Sequence, residues 1–224
     1  MSLELQALLL VWGMLVGLDL VSVPQMMIAR PLVAGAVAGA MLGDIPTGLK
    51  LGVVFELFQH DILPMGAVRY PEYGPATVAA VSAAHMVGGA LGLGLGVAVG
   101  LVTGMIGGTS IHLMRRLNAR AVRRAAAVLE TGDIRTLVRL HVQSILRDAL
   151  RAGLVTAFGL ALAVELNALR LGHILAREGF ALAAVATGAG LAVAAAGTLR
   201  LVRRPTLAWF AAGLLGGAAE VWLR

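Results

Sequence analysis

The chain has 224 residues, of which 59% are hydrophobic and only 13% are charged, and its mean hydropathy is +0.88. An ordinary soluble domain carries about 25% charged residues, so this composition excludes that class and predicts an integral membrane protein. The length leaves room for roughly six to eight membrane segments and for no separate soluble catalytic domain. Cysteine is absent, which excludes disulfides and thiolate metal sites.

The positive charge is concentrated in the second half of the chain. The net charge is +6, and only three of the 18 basic residues precede Arg115, namely Arg30, Lys50 and Arg69. The densest basic group, at positions 115–124, directly follows a long apolar run. Such clusters flank membrane helices on the cytoplasmic side, so residues 115–140 are expected in the cytoplasm. No recognised binding motif accompanies the arginines, and a nucleic-acid partner is therefore not expected.

The first segments predict a mixture of complete and broken membrane helices. Residues 3–23 lack the basic start of a signal peptide and are interpreted as a retained segment. Pro31 should interrupt or kink the next helix. Residues 31–42 and 49–58 each supply about a dozen apolar residues or fewer, whereas roughly 20 are needed to span the hydrocarbon. They flank the polar turn 43–48, a pattern typical of broken or re-entrant helices that line a cavity.

The remaining segments complete the predicted bundle. Residues 76–113 are long enough for two passes, or for one pass plus a hairpin. A surface helix or helix-turn-helix is predicted over 115–140, with a break at 131–133. Further apolar segments are expected at 142–168, 179–199 and 206–223, and the basic loop 200–205 should lie in the cytoplasm.

The fold expected from this pattern is an all-α membrane protein, a polytopic helical bundle with broken or re-entrant helices in its N-terminal half. We expect a single integral-membrane domain over residues 1–224. It comprises a membrane part (1–114) with the candidate binding site, the cytoplasmic basic loop or helix (115–140), and further membrane segments (141–224).

Polar residues near the predicted breaks are the candidates for function. A charge at mid-helix costs roughly 2.5–3.5 kcal/mol on insertion scales, so each such group needs a partner or a wet cavity. For Glu56, a functional role and an ion pair with Lys50 or Arg69 are both open. Asp44 is expected to cap a turn or helix. Arg30 either caps carbonyls freed by Pro31 or binds a ligand.

The histidines and the later charges have less specific interpretations. His60 and Asp61 lie either in a wet interfacial loop or in a site. His85 and His112 are expected to be packed or hydrogen-bonded, and His141 and Arg151 to anchor the membrane interface. Enzyme signatures such as G-x-S-x-G, H-E-x-x-H or a P-loop are absent, so the chain is not expected to be catalytic by itself, and no metal or cofactor is expected.

One stretch, residues 25–75, resembles the membrane IIC component of the mannose-type (mannose, fructose, sorbose) sugar phosphotransferase system. The matching residues are Arg30-Pro31, Leu42-Gly43-Asp44 followed by Thr47-Gly48, Glu56-Leu57, and Gly66-Ala67 ahead of Pro71-Glu72. A weaker similarity covers His141-Val142, Ser144 and Arg151.

The resemblance implies a permease subunit that binds and moves a hexose without donating the phosphate. It also implies a IID membrane subunit, cytoplasmic IIB and IIA phosphotransfer components, a homo- or hetero-oligomer, and the bacterial inner (plasma) membrane. The implied sugar-binding residues are Glu56, Glu72, Gln25, Asp61 and Arg69, with the backbone of Gly66 and Ala67. Carboxylates and amides suit the hydroxyls of a hexose.

Two other functions are weighed against this one. An ion-coupled secondary transporter of a small polar solute would use Glu56 or Asp61 as a proton carrier. A noncatalytic membrane scaffold or sensor would use the same polar residues only to hold the bundle together.

Overall fold

The structure is a computed structural model that describes residues 2–60 and 70–169, together with 181–183, 186–188 and 190. Within 2–60 and 70–169 the chain forms helices and no strand, which confirms the all-α class. The segment expected at 206–223 and the loop 200–205 lie outside the described residues, as do two thirds of the segment expected at 179–199. The helices are α1 (Leu3–Asp19), α2 (Pro31–Met41), α3 (Ile45–Gln59), α4 (Tyr73–Val87), α5 (Gly89–Arg124), α6 (Ala126–Glu130) and α7 (Ile134–Ala168).

The loop between α1 and α2 is organised by Asp19, the last residue of α1. Its side chain is 1% exposed. One carboxylate oxygen accepts a hydrogen bond from the Met26 amide at 2.6 Å, and the other accepts one from the Ala29 amide at 3.0 Å. These two bonds satisfy the buried carboxylate and fix the point at which Pro31 starts α2.

The predicted pair of short helices is confirmed. α2 has 11 residues and α3 has 15, so their lengths are roughly 17 and 23 Å, less than the thickness of the hydrocarbon. The two helices pack closely at glycines: a Cβ at Gly35 would lie 2.5 Å from the carbonyl oxygen of Gly48. Small residues at such contacts let helix backbones approach each other.

The apolar run 76–113 forms two consecutive helices, a short one followed by a long one. α4 is the centre of the core, since every residue from Tyr73 to Ala84 is buried. Gly88 and Gly89 have φ of 75° and 60°, and this left-handed backbone turns the chain from α4 into α5. α5 has 36 residues, so it is about 54 Å long.

The basic residues 115–124 differ from the prediction because they continue α5 instead of forming a separate surface helix. No glycine or proline occurs between Gly108 and Gly132, so no backbone signal ends the helix after the apolar run. The break predicted at 131–133 is confirmed: α7 begins at Ile134, and Asp133 accepts hydrogen bonds from the Arg135 and Thr136 amides, both at 3.2 Å.

Two of the described helices, α5 and α7, are long and apolar enough to cross a membrane. On α7, Leu146, Leu150 and Leu154 are 62%, 65% and 62% exposed. Their spacing of four places them in one stripe on the helix surface. An exposed apolar stripe of this kind fits a helix face that contacts lipid.

Candidate functional site

A buried ion pair joins α4 to α7. The Arg151 guanidinium contacts the Glu72 carboxylate through Nη1 and Oε2 at 2.5 Å and through Nη2 and Oε1 at 2.9 Å. The side chain of Glu72 is fully buried, and that of Arg151 is 7% exposed. Both carboxylate oxygens of Glu72 are therefore engaged by one arginine in the bidentate geometry that guanidinium and carboxylate favour.

Additional polar groups complete this cluster. Asp148, one turn before Arg151 on α7, accepts a hydrogen bond from Arg151 Nε at 2.6 Å. Ser22 from the α1–α2 loop donates a short hydrogen bond to Asp148, and Ser110 from α5 accepts one from Arg151 Nη1 at 3.2 Å. The cluster thus ties three helices and a loop together. The expectation that Arg151 anchors the membrane interface is wrong, because its charge is neutralised inside the bundle.

The space around the Glu72 carboxylate is closed by small residues. A Cβ at Gly107 would lie 2.7 Å from Glu72 Oε2, and a Cβ at Gly17 would lie 2.5 Å from the Ala152 Cβ. Larger side chains at these two positions would push α5 or α1 away from the ion pair. The glycines of α1 and α5 therefore serve the close packing of this buried cluster.

A second ion pair, between Arg30 and Glu56, is partly open to the surroundings. The Arg30 guanidinium contacts Glu56 Oε1, and the side chains are 37% and 20% exposed. Glu56 Oε2 accepts a hydrogen bond from the Leu32 amide at 3.2 Å. Since Leu32 lies in the first turn of α2, Glu56 satisfies a free amide there and complements the positive end of that helix.

This geometry corrects two expectations about the first third of the chain. Arg30, and not Lys50, is the partner of Glu56. Lys50 lies six residues before Glu56, which places the two side chains about 120° apart around α3. Arg30 itself pairs with a carboxylate instead of capping carbonyls freed by Pro31.

A narrow cavity of about 20 Å³ lies beside Glu72 between α1, α3 and α4. Gln59 and Glu72 both line it, and Gln59 is one helical turn after Glu56 on α3. The space is large enough for one water-sized group.

Tyr73 stacks on Phe55 with ring centroids 5.6 Å apart and so fixes the start of α4 against α3.

The other predicted site residues fall elsewhere. Gln25 is exposed in the α1–α2 loop, where its side-chain amide donates to the Leu20 carbonyl at 3.4 Å. Four positions, Asp61, Gly66, Ala67 and Arg69, lie outside the described residues and stay predictions.

Asp44 caps α3, as its sequence context predicted. Its Oδ1 accepts a hydrogen bond from the Thr47 amide at 3.2 Å, and its Oδ2 lies 3.7 Å from Nδ1 of His85 at the end of α4. The turn between α2 and α3 is thereby held against α4. No group of three or more histidine, cysteine or acidic side chains arranged for a metal ion occurs among the described residues.

Gln59 and Asp148 were not recognised from the sequence. Asp148 and Arg151 have the i, i+3 spacing of facing residues on a helix and lie at the start of an apolar segment, which is a readable signal for a buried pair. The sequence carries no local signal for Gln59, because its place in the cavity wall depends on the α3–α4 contact.

Comparison with known proteins fits this architecture. The sequence model of the sorbose-specific IIC component of the phosphotransferase system matches residues 5–213, nearly the whole chain. The chain belongs to this IIC family. A fructose permease IIC component of Bacillus subtilis (strain 168) is 27% identical over 145 residues, which cover 65% of this chain and 53% of the relative. The chain thus spans about half the length of this curated relative.

Solved structures show the same fold. A structure described only as a membrane protein matches with a TM-score of 0.70 and 18% identity, covering 97% of this chain and 87% of the other. The mannose transporter ManYZ, solved in complex with a microcin, matches with a TM-score of 0.54 and 16% identity, again over 97% and 87% of the two chains. These two likenesses show the same helical fold, and the family match over residues 5–213 confirms the mannose-type IIC resemblance.

Proposed function

We propose that this IIC chain binds a hexose at the Arg30–Glu56 pair and conducts it across the membrane. Membership of the IIC family over residues 5–213 is the observation that carries the transport role. The substrate class is supported by the names of its relatives, a fructose permease and a mannose transporter.

The chemistry of the pair suits a sugar. The Glu56 carboxylate accepts hydrogen bonds and the Arg30 guanidinium donates them, so together they match neighbouring hydroxyls of a hexose. Both side chains are partly exposed, at 37% and 20%, so a ligand reaches them without breaking the buried core. In contrast, both oxygens of Glu72 are engaged by Arg151, and Glu72 lines the separate small cavity beside α4.

Further residues are proposed to complete the site. Gln25 lies on the loop that leads to Arg30, and its amide offers both a donor and acceptors. Asp61 and Arg69, with the backbone of Gly66 and Ala67, are proposed to contact the sugar from the segment that joins α3 to α4. A site that combines a helix break with charged and backbone groups is typical of transporters.

The proposed assembly follows the phosphotransferase scheme. The chain forms a single multi-pass domain in the bacterial inner membrane and works with a IID subunit, within a homo- or hetero-oligomer. It delivers the hexose to a cytoplasmic IIB component, which is phosphorylated by IIA and transfers the phosphate. The chain itself binds and moves the sugar and catalyses no reaction.

Uptake into membrane vesicles tests this proposal. Vesicles that contain the chain and its IID subunit are supplied with labelled fructose or mannose, with active IIA and IIB or with a IIB that cannot carry phosphate. We expect sugar phosphate to accumulate only with active IIB. Accumulation of free sugar driven by a proton gradient, without IIB, would overturn the proposal and favour ion-coupled transport.

A further inference from the structure

A cleft of about 450 Å³ opens beside the second half of α5, away from the Arg30–Glu56 pair. One of its sides is formed by Tyr70 and Pro71, which precede α4. The opposite side is one face of α5, since its residues recur at helical spacing: Met105, Thr109, His112, Leu113 and Arg116.

The cleft has an apolar wall and a positively charged end. Met105 and Leu113 are 67% and 58% exposed. Arg116 is exposed at the far end, and no hydrogen bond or ion pair joins it to another described residue. The neighbouring Arg115 donates to the Tyr70 hydroxyl at 3.0 Å and lies 5.6 Å from the centroid of that ring. One guanidinium group therefore lines the cleft, and a second contacts Tyr70, another of its lining residues.

No acidic residue of α5 offsets this charge, because Gly89–Arg124 contains neither Asp nor Glu. Distances along the helix place the two ends of the cleft at different depths. At 1.5 Å per residue, Met105 lies roughly 24 Å from Gly89 and Arg116 roughly 41 Å. Taking the start of α5 at Gly89 as one edge of a hydrocarbon core about 30 Å thick puts Met105 among the acyl chains and Arg116 at the headgroups.

We propose that this cleft binds an anionic phospholipid. The phosphate of the headgroup contacts Arg116, and an acyl chain lies along Met105, with Leu113 at the boundary between them. Arginine pairs well with phosphate, and basic pockets at the headgroup level of membrane helices attract anionic lipids. A free phosphate ion would use the charge but not the apolar wall, so the lipid is the ligand that matches the whole cleft.

Lipid binding to the purified full-length chain tests this proposal. Native mass spectrometry compares phosphatidylglycerol with phosphatidylcholine for the unchanged chain, for Arg116→Gln, and for Arg124→Gln as a control on the same helix outside the cleft. One arginine near anionic headgroups raises the affinity for an anionic lipid about fivefold. We expect Arg116→Gln to weaken phosphatidylglycerol binding by about that factor and Arg124→Gln to leave it within about twofold. Equal effects of the two substitutions would overturn the proposal.

Two further measurements, phosphate competition and photo-crosslinking, identify the occupant of the cleft. Millimolar inorganic phosphate should not displace phosphatidylglycerol, and displacement would show that the site binds the phosphate group alone. A photo-reactive amino acid at position 105 should crosslink to phospholipid in membranes. Crosslinking to a protein chain instead would assign the cleft to a subunit interface and overturn the lipid proposal. Retention of the thermal unfolding midpoint by each variant confirms that folding is intact.

Discussion

Arg151 and Glu72 lie 79 residues apart in the sequence and form a bidentate ion pair inside the bundle. Asp148 accepts a hydrogen bond from Nε of the same guanidinium at 2.6 Å. Burying a pair of this kind costs desolvation free energy, and the pair stabilises the fold only when every partner is present. It connects α4, the most buried helix, to α7, one of the two candidate membrane spans.

Replacing Arg151 should therefore destabilise the protein strongly. Arg151→Met removes the partner of two buried carboxylates, and we expect a loss of about 3–5 kcal/mol in the free energy of unfolding. Arg151→Lys should recover only part of it, because an ammonium group cannot bind bidentately. Detergent-solubilised yield and thermal unfolding measure the effect. Arg147→Gln, one turn earlier on α7, is the control. Equal yields of the Arg151→Met and Arg147→Gln variants would contradict the structural role of Arg151.

Features with local signals were predictable from the sequence. Pro31 marks the start of α2, Asp44 caps α3, and Gly132 lies in the break before α7, where its φ is 79°. Each depends on the conformational preferences of one residue and its immediate neighbours.

Long-range partners were not predictable in the same way. The positions of Arg30 and Glu56 indicated polar groups that need partners, but the sequence did not identify them as each other's partner. That pairing depends on how α2 packs against α3. Similarly, Glu72 was recognised as a candidate, whereas its engagement by Arg151 arises only when α4 and α7 meet. Tertiary contacts of this kind leave no periodic pattern in one sequence.

The glycine contact between α2 and α3 gives a second stability prediction. A Cβ at Gly35 would lie 2.5 Å from the Gly48 carbonyl oxygen, so Gly35→Ala must push the two short helices apart. We expect a loss of about 1–3 kcal/mol, the usual cost of overpacking. Gly153→Ala is the matched control, since its Cβ would meet only the Met14 sulfur at 3.3 Å. Thermal unfolding should separate the two variants, and equal stability would contradict the close contact.

The cap of α7 should respond to acid. Hydrogen bonds from Thr136 and Arg135 to the Asp133 carboxylate hold the pKa of this group below its ordinary value. The stabilisation is therefore present above the unfolded pKa and is lost as the pH falls through the lower, folded pKa. Between pH 7 and pH 3, the thermal unfolding midpoint should fall less for Asp133→Asn than for the unchanged chain. Identical pH profiles would show that the cap is not ionised.

The orientation of α5 can be tested because the chain has no cysteine. Ala90 lies at the start of this helix, and Ala125 directly follows its last residue. The helix is about 54 Å long, so single cysteines at these two positions report on its opposite ends. We expect an impermeant thiol reagent to label Ala90→Cys in intact cells and to spare Ala125→Cys, because the arginines at 115–124 favour the cytoplasm. The reverse labelling pattern would invert the predicted topology.

The sharpest prediction concerns Glu56. If its carboxylate accepts hydrogen bonds from sugar hydroxyls, Glu56→Gln should weaken hexose binding by about 1.5–3 kcal/mol, or roughly 10- to 150-fold. The stability cost should stay below about 1 kcal/mol, because its partner Arg30 is 37% exposed and remains hydrated. Glu4→Gln, on the exposed first turn of α1, controls for loss of one carboxylate. Sugar affinity and folded yield are measured on the same preparations, and normal affinity with poor yield would show that the Arg30–Glu56 pair only supports the fold.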